Sequence, residues 1–308
     1  MVDIVITEFM HKQSVADLAR DFEVHYEPTL GMDPVALRKF LRGALALVIR
    51  DRTVIDVPLI AQAYQLRVVA QVGLPSDNID MASCDAHGIA VVRTPDAMAD
   101  AVGEYVIAAA LVLTRGVFFS NRDMLAGQWP RGLLMGREIG GRTLGLVGLD
   151  FGARSAAARA RALGMSVIGW DPLLKESHPV WQDIERREFD DVLASADVVS
   201  VHLPPRRELQ GKLGTLALGR IKTGAVLIAV GASGVVDEAA VANMLSVGKL
   251  RGAALDGFVT EPLTIETAAV FAGVPNLILT PRVADLTLES HLRSSEAVVE
   301  KIRSALKR

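Results

Sequence analysis

Gly148-Leu149-Asp150-Phe151-Gly152-Ala153 follows a β-branched run, Thr143 to Leu149, and opens an alanine-rich stretch; a second run then ends in Gly169-Trp170-Asp171-Pro172. This is the layout of a dinucleotide-binding βαβ unit. In such a unit the first glycine makes the tight turn, the second lets backbone approach a pyrophosphate, and a third small residue lets helix meet strand. Gly148 and Ala153 match the first and third roles. The second falls on Asp150, whose carboxylate stands where phosphates want helix amides. Either Asp150 caps the helix and satisfies those amides itself, or the loop is shifted and Gly152 takes the second role. Asp171, 23 residues after Gly148, is placed to accept hydrogen bonds from an adenosine ribose, which favours NAD over NADP.

A βαβ unit needs a parallel sheet around it, and the chain supplies one on each side of its middle. Val2 to Thr7, Glu23 to Tyr26, Leu45 to Ile49, Val68 to Val72 and Ile89 to Val92 read as strands separated by amphipathic segments. A helix-compatible stretch runs from Ala97 to Leu125, weakened at Gly103 and Gly116, and leads to Gly127-Gln128-Trp129-Pro130, where a domain crossing is expected. Six further strands follow, at Thr143 to Leu149, Ser166 to Trp170, Asp197 to Leu203, Ala225 to Val230, Arg251 to Leu255 and Leu277 to Thr280. With helices between them they read as a doubly wound sheet. Leu286 to Arg308 is helix-favouring, with Leu292, Val298, Val299, Ile302 and Leu306 at helical spacing, and is expected to pack on the first domain.

The 308 residues suffice for two domains with a core in each. Half the residues are apolar and the net charge is −3, from 33 basic and 36 acidic side chains, which excludes disorder. Without a basic stripe, and with 5% aromatic residues, nucleic acid is not an expected partner. Cys84 has no second thiol or metal-ligand neighbour, so neither a disulfide nor a metal site is expected. No basic leader and no apolar run of about 18 residues is visible, so no membrane contact and a reducing, cytoplasmic compartment are expected.

With these motifs in place the sequence resembles the D-isomer-specific 2-hydroxyacid dehydrogenases. The matching stretches include Asp77-Asn78-Ile79-Asp80, Thr94-Pro95, Gly127-Gln128-Trp129, Asp171-Pro172, His202-Leu203-Pro204, Val236-Asp237-Glu238, Gly252-Ala253-Ala254-Leu255-Asp256, Glu261-Pro262 and Leu279-Thr280-Pro281, collinear from near residue 45 to near 290. The resemblance implies an α/β protein of two Rossmann-like domains. A doubly wound dinucleotide-binding domain, residues 98–282, would be inserted into a smaller, flavodoxin-like substrate domain formed by 1–97 and 283–308. It also implies a small carboxylate substrate, a homodimer with the segment after Ala97 in contact, and NAD held by Gly148, Asp150, Phe151, Gly152, Ala153, Asp171 and Asp256.

The family's catalytic trio of arginine, glutamate and histidine survives only in Glu261. Ala232 stands where the carboxylate-clamping arginine belongs, and Arg282 where the histidine follows Thr-Pro. Histidine beside a glutamate can take a hydroxyl proton near neutral pH. Arginine cannot, because its pKa exceeds about 12. Arg282 beside Glu261 is therefore expected to form a fixed ion pair that could still hold a carboxylate or enolate oxygen. The remaining proton carriers are Asp285, alternatively the N-cap of the last helix, and His202, alternatively a structural histidine near the nicotinamide ribose. His291 is expected at the surface. Arg50, Gly73 and Leu74 are the expected substrate contacts.

Three functions fit. The first is an NAD-dependent oxidoreductase acting on a small 2-hydroxy or 2-oxo acid with a rearranged site. The second is a cofactor-independent lyase, hydratase or isomerase using Arg282 as electrophile with Asp285, Glu261 or His202 as base. The third is a catalytically silent homologue that binds a small acid or a partner.

Overall fold

The computed structural model describes residues 2–73 and 78–306. The chain divides into two compact units, Met1–Met98 with Asp285–Arg308, and Ala99–Ala284. The first unit is therefore left at Met98, at the start of the long apolar stretch and not at Gly127.

The first unit carries strands β1 (Ile4–Ile6), β2 (Val24–Tyr26), β3 (Ala46–Ile49), β4 (Val68–Gln71) and β5 (Ala90–Arg93), in the order β2-β1-β3-β4-β5. All pairs are parallel. A parallel sheet needs cover on both faces, and the core is accordingly double. Val5, Leu37, Leu41, Leu47, Ile49 and Val69 fill one face. Ile4, Ile6, Val48 and Val68 meet Val298, Val299 and Ile302 of the helix Leu288–Leu306 on the other. The chain's end thus closes its beginning, as its helical periodicity implied.

The second unit carries β6 (Thr143–Val147), β7 (Ser166–Trp170), β8 (Glu185–Arg186), β9 (Val198–Val201), β10 (Ala225–Val230), β11 (Leu250–Asp256) and β12 (Leu277–Thr280). Their order, β12-β11-β10-β9-β6-β7-β8, is that of a doubly wound sheet with the switch point between β6 and β9. β8 adds a two-residue strand that its sequence did not announce.

The helix Ala99–Arg115 ends where Gly116 adopts a left-handed φ of 68°. Pro95–Arg115, at mean hydropathy 1.6, is long and apolar enough to cross a membrane by that measure, contrary to the expectation of no such run. Within the second unit, however, Val102, Val106, Ala110 and Leu113 are buried, so this is a core helix.

Candidate active site

In the second unit, β6 runs into Gly148, whose φ is 92°, and a Cβ there would lie 2.8 Å from the His202 carbonyl carbon. Only glycine fits this turn. The helix Phe151–Ala162 then starts with Asp150 as its N-cap, Oδ1 accepting the Ala153 amide at 2.7 Å. Nδ1 of the buried His202 lies 3.4 Å from the same oxygen, while its Nε2 is 2.8 Å from Ser200 Oγ. Crowding by protein atoms raises the pKa of Asp150, but His202, the Ala153 amide and Arg154 outweigh it, holding the carboxyl below its ordinary 3.8. Almost half of that side chain, 46%, is still exposed.

Gly152 packs against Val102 of the helix Ala99–Arg115. A Cβ there would strike Val102 at 2.5 Å, so its smallness serves packing between helices. Ala153 is fully buried, and Phe151 is exposed with the Arg154 guanidinium 5.5 Å from its ring centre. Arg154 is itself fixed through Nε to the Leu149 carbonyl at 2.9 Å. At the end of β7, Asp171 accepts the amides of Leu149 at 2.7 Å and Leu173 at 2.8 Å, one on each oxygen. Each oxygen keeps a lone pair for a further donor.

At the far side of the same sheet, Arg282 donates through Nε to Glu261 and through Nη2 to Ser233 Oγ, the latter at 2.7 Å. Glu261 spends its other oxygen on the Phe258 amide at 2.7 Å. Arg282 has φ 51°, a left-handed conformation that costs a non-glycine residue about 1–3 kcal/mol. What imposes it is Asp256, whose buried carboxylate accepts Thr280 Oγ1, Val283 N and Ala284 N at 2.7, 2.8 and 2.9 Å. Tyr105 closes the network on Thr280 at 2.7 Å. Asp256, expected to hold cofactor, holds the segment that carries Arg282 through both of its oxygens.

In the first unit the backbone of Arg50 is clamped. Buried Glu8 accepts the amides of Arg50, Arg52 and Thr53, and the Thr53 hydroxyl, at 2.8–3.1 Å. Burial raises the Glu8 pKa, but these donors lower it more, leaving it below the ordinary carboxylate value. Gln71 and Asn78 donate to the Arg50 carbonyl at 3.0 and 2.9 Å. The guanidinium Nη1 lies 2.9 Å from ring nitrogens of His291. Gly73 donates its amide to Ser294 Oγ at 3.3 Å. Leu74 lies outside the described residues.

Two expectations about the last helix are corrected. Thr287, not Asp285, caps it: Thr287 Oγ1 accepts the Ser290 amide at 3.1 Å and Ser290 Oγ accepts the Thr287 amide at 3.2 Å. Asp285 is buried and turned toward Gly73 beside the Arg50 guanidinium. His291 is half-buried against Arg50 and edge-on to Phe9, not a surface residue.

Residues 107–284 match the model of the D-isomer specific 2-hydroxyacid dehydrogenase NAD binding domain. The chain belongs to that family. It is 41% identical over 307 residues to a (S)-sulfolactate dehydrogenase of Chromohalobacter salexigens, covering 99% of both chains. It is 33% identical to a D-3-phosphoglycerate dehydrogenase of Mycobacterium leprae over 98% of its own length but only 56% of that relative's. Among solved structures, the TT0316 protein of Thermus thermophilus superposes with a TM-score of 0.86 at 28% identity, over 99% and 97% of the two chains.

Glu261 is engaged by an arginine that cannot pass a proton on, and Ser233 is the second anchor. Ser233, Arg154, Glu8 and the position of His291 were not found from the sequence. Only Glu8 carried a signal, as a carboxylate at the end of a buried strand.

Proposed function

We propose that this chain is an NAD-dependent oxidoreductase acting on a short 2-hydroxy or 2-oxo acid, with Arg282 as a fixed cation in place of the family's histidine. The observation that carries the reading is Asp171, fixed by two amides beside the Gly148 turn with lone pairs to spare for ribose hydroxyls. A 2′-phosphate would meet that carboxylate, which favours NAD over NADP.

NAD fits the loop on the adenosine side. Gly148 admits backbone, Asp171 accepts, and Arg154 and His202 offset the charge of Asp150 where a pyrophosphate would approach. When bound, NAD supplies the hydride acceptor. Arg282, held by Glu261 and Ser233, presents its remaining donors to a carboxylate or a developing oxyanion. It orients and stabilises; it does not move a proton. The (S)-sulfolactate dehydrogenase relative supports a substrate with a second anionic group.

The apolar residues Phe118, Leu125, Trp129, Leu133 and Met135 are 63–90% exposed along one segment of the second unit. Apolar side chains exposed together along one segment are the kind of surface that association covers, which supports a homodimer with this segment in the contact. Light scattering of wild type against Leu125→Glu/Leu133→Glu tests it, with a halved mass expected for the variant.

The function is tested by calorimetric titration of ligand-stripped protein with NADH and NADPH, followed by turnover with sulfopyruvate and other 2-oxo acids. Micromolar NADH binding with turnover supports the oxidoreductase. Binding without turnover of any 2-oxo acid supports a silent homologue, and no binding up to millimolar cofactor overturns the reading.

A further inference from the structure

His202 follows β9 and is held there by its amide, which donates to the Val147 carbonyl at 2.8 Å. Its side chain is wholly buried. It lies between the ends of β6 and β9, at the switch point where an open α/β sheet receives its ligand.

The two ring nitrogens have different neighbours. Nε2 lies 2.8 Å from Oγ of the buried Ser200. Nδ1 makes no hydrogen bond of regular geometry among the described residues and faces Asp150 Oδ1 at 3.4 Å. A carboxylate only accepts, so a neutral ring turns its N–H toward Asp150 and leaves Nε2 to accept from Ser200. A hydroxyl can donate or accept, and its hydrogen rotates to suit. The ring can therefore gain a proton at Nε2 with no heavy atom displaced: Ser200 changes from donor to acceptor, and each ring N–H still faces an oxygen.

The carboxylate half of this couple looks outward. Asp150 Oδ1 accepts the Ala153 amide, Oδ2 accepts nothing from the described residues, and almost half of the side chain is exposed. It stands where the helix would otherwise offer free amides to a phosphate. The other charged groups around it are committed: Arg154 through Nε to the Leu149 carbonyl, and Asp171, at the end of β7, to the Leu149 and Leu173 amides. Of these groups the imidazole is the one whose charge changes near neutral pH. While it is neutral the couple carries one negative charge; with a proton added it carries none.

We propose that Asp150, His202 and Ser200 form a proton-uptake couple for the diphosphate of the dinucleotide, in which one proton enters from solvent and is held at His202 Nε2 for each dinucleotide bound. No other bond is made or broken. His202 is thereby a positioning residue that acts through Asp150. The couple presupposes the NAD site proposed above and accounts for a carboxylate standing in it: the charge is cancelled when the site fills. The bound protein holds more protons than the free one, so by linkage affinity rises as pH falls, by at most about tenfold per pH unit for one proton.

The test is calorimetric titration of the full chain with NADH and with ADP-ribose, which carries the same diphosphate without the nicotinamide, between about pH 6.5 and 8.5 at fixed ionic strength. Each titration is run in two buffers of different ionisation enthalpy, which counts the protons taken up. Wild type is expected to take up a fraction of a proton, up to about one, with either ligand, and to bind several-fold more tightly at the acid end. His202→Gln, which keeps hydrogen-bonding groups without titrating, should bind with no uptake and at an affinity independent of pH. Ser200→Ala, which removes the acceptor for the added N–H, should lose most of the uptake. Asp150→Asn should bind about tenfold more tightly than wild type at the alkaline end and converge on it at the acid end, where both carry no net charge at this place.

Binding without proton uptake, or uptake unchanged in both His202→Gln and Ser200→Ala, overturns the proposal; should His202→Gln not fold, Ser200→Ala decides. Binding without uptake leaves the NAD reading standing. Uptake on binding, with no turnover of any 2-oxo acid, keeps the couple and removes the oxidoreductase. No binding of either ligand overturns both.

Discussion

Asp150 Oδ1 stands 3.4 Å from His202 Nδ1 and 2.7 Å from the Ala153 amide. The start of the helix Phe151–Ala162 therefore carries its own anion, where a dinucleotide-binding βαβ unit presents amides to phosphate. A charge at a helix N-terminus is worth up to about 2 kcal/mol in partly buried geometry.

Removing it should strengthen cofactor binding. Asp150→Gly is expected to raise NADH affinity about tenfold, while lowering thermal stability by only a few tenths of a kcal/mol, because glycine is a tolerated N-cap. Calorimetry reads the first and a thermal melt the second. Unchanged affinity would mean that the pyrophosphate does not approach this helix end.

Gly152 makes a second, structural prediction. The Cβ of Gly152→Ala would meet Val102 Cγ1 at 2.5 Å and Cβ at 2.9 Å, and a β-branched side chain has little freedom to yield. A loss of about 1–3 kcal/mol is expected. Adding Val102→Ala should recover part of it, a positive coupling in a double-mutant cycle by denaturant unfolding. Additive losses would show that the helix packing is not what excludes a side chain.

Asp256 carries the loop of Arg282 on one buried carboxylate. Asp256→Asn replaces an acceptor by an amide that must face backbone N–H donors, and leaves at least one of Thr280, Val283 or Ala284 unsatisfied. The expected cost is about 1–3 kcal/mol, read as a lower urea midpoint. Substrate binding should weaken with it, because Arg282 loses the constraint that keeps it in its left-handed conformation.

The stability of the first unit should depend on His291. Its pKa is lowered from 6.5 to about 4 in the folded protein. The native state then binds fewer protons than the unfolded one between those values, so stability is fully present above 6.5 and falls as pH drops toward 4. His291→Gln should flatten this limb of the stability profile in a series of urea melts. The limb should shrink only in part in Arg50→Met, because burial, the largest cause of the lowered value, remains.

Much of the architecture was legible from the chain. Alternating β-branched and helical runs report the parallel sheets because each strand is buried on both faces, and a periodic pattern of apolar residues is a local property. The Gly148 turn and its spacing to Asp171 were legible for the same reason: one βαβ unit is made of neighbours in sequence. So was the inability of Arg282 to relay a proton, since a guanidinium stays charged in any fold.

The partners were decided elsewhere. Arg50 and His291 are 241 residues apart and meet only because the last helix covers the first sheet. The sequence placed His291 at the surface because helical periodicity says which face is apolar and nothing of what polar group a neighbouring loop brings to it. Asp285 read as a cap from its distance to the helix start, yet Thr287 took the cap and left Asp285 turned inward. That Gly152 must be small for packing came only with Val102 on the neighbouring helix. In each case the residue type set what chemistry was available, and contacts between segments distant in the chain decided which of it is used.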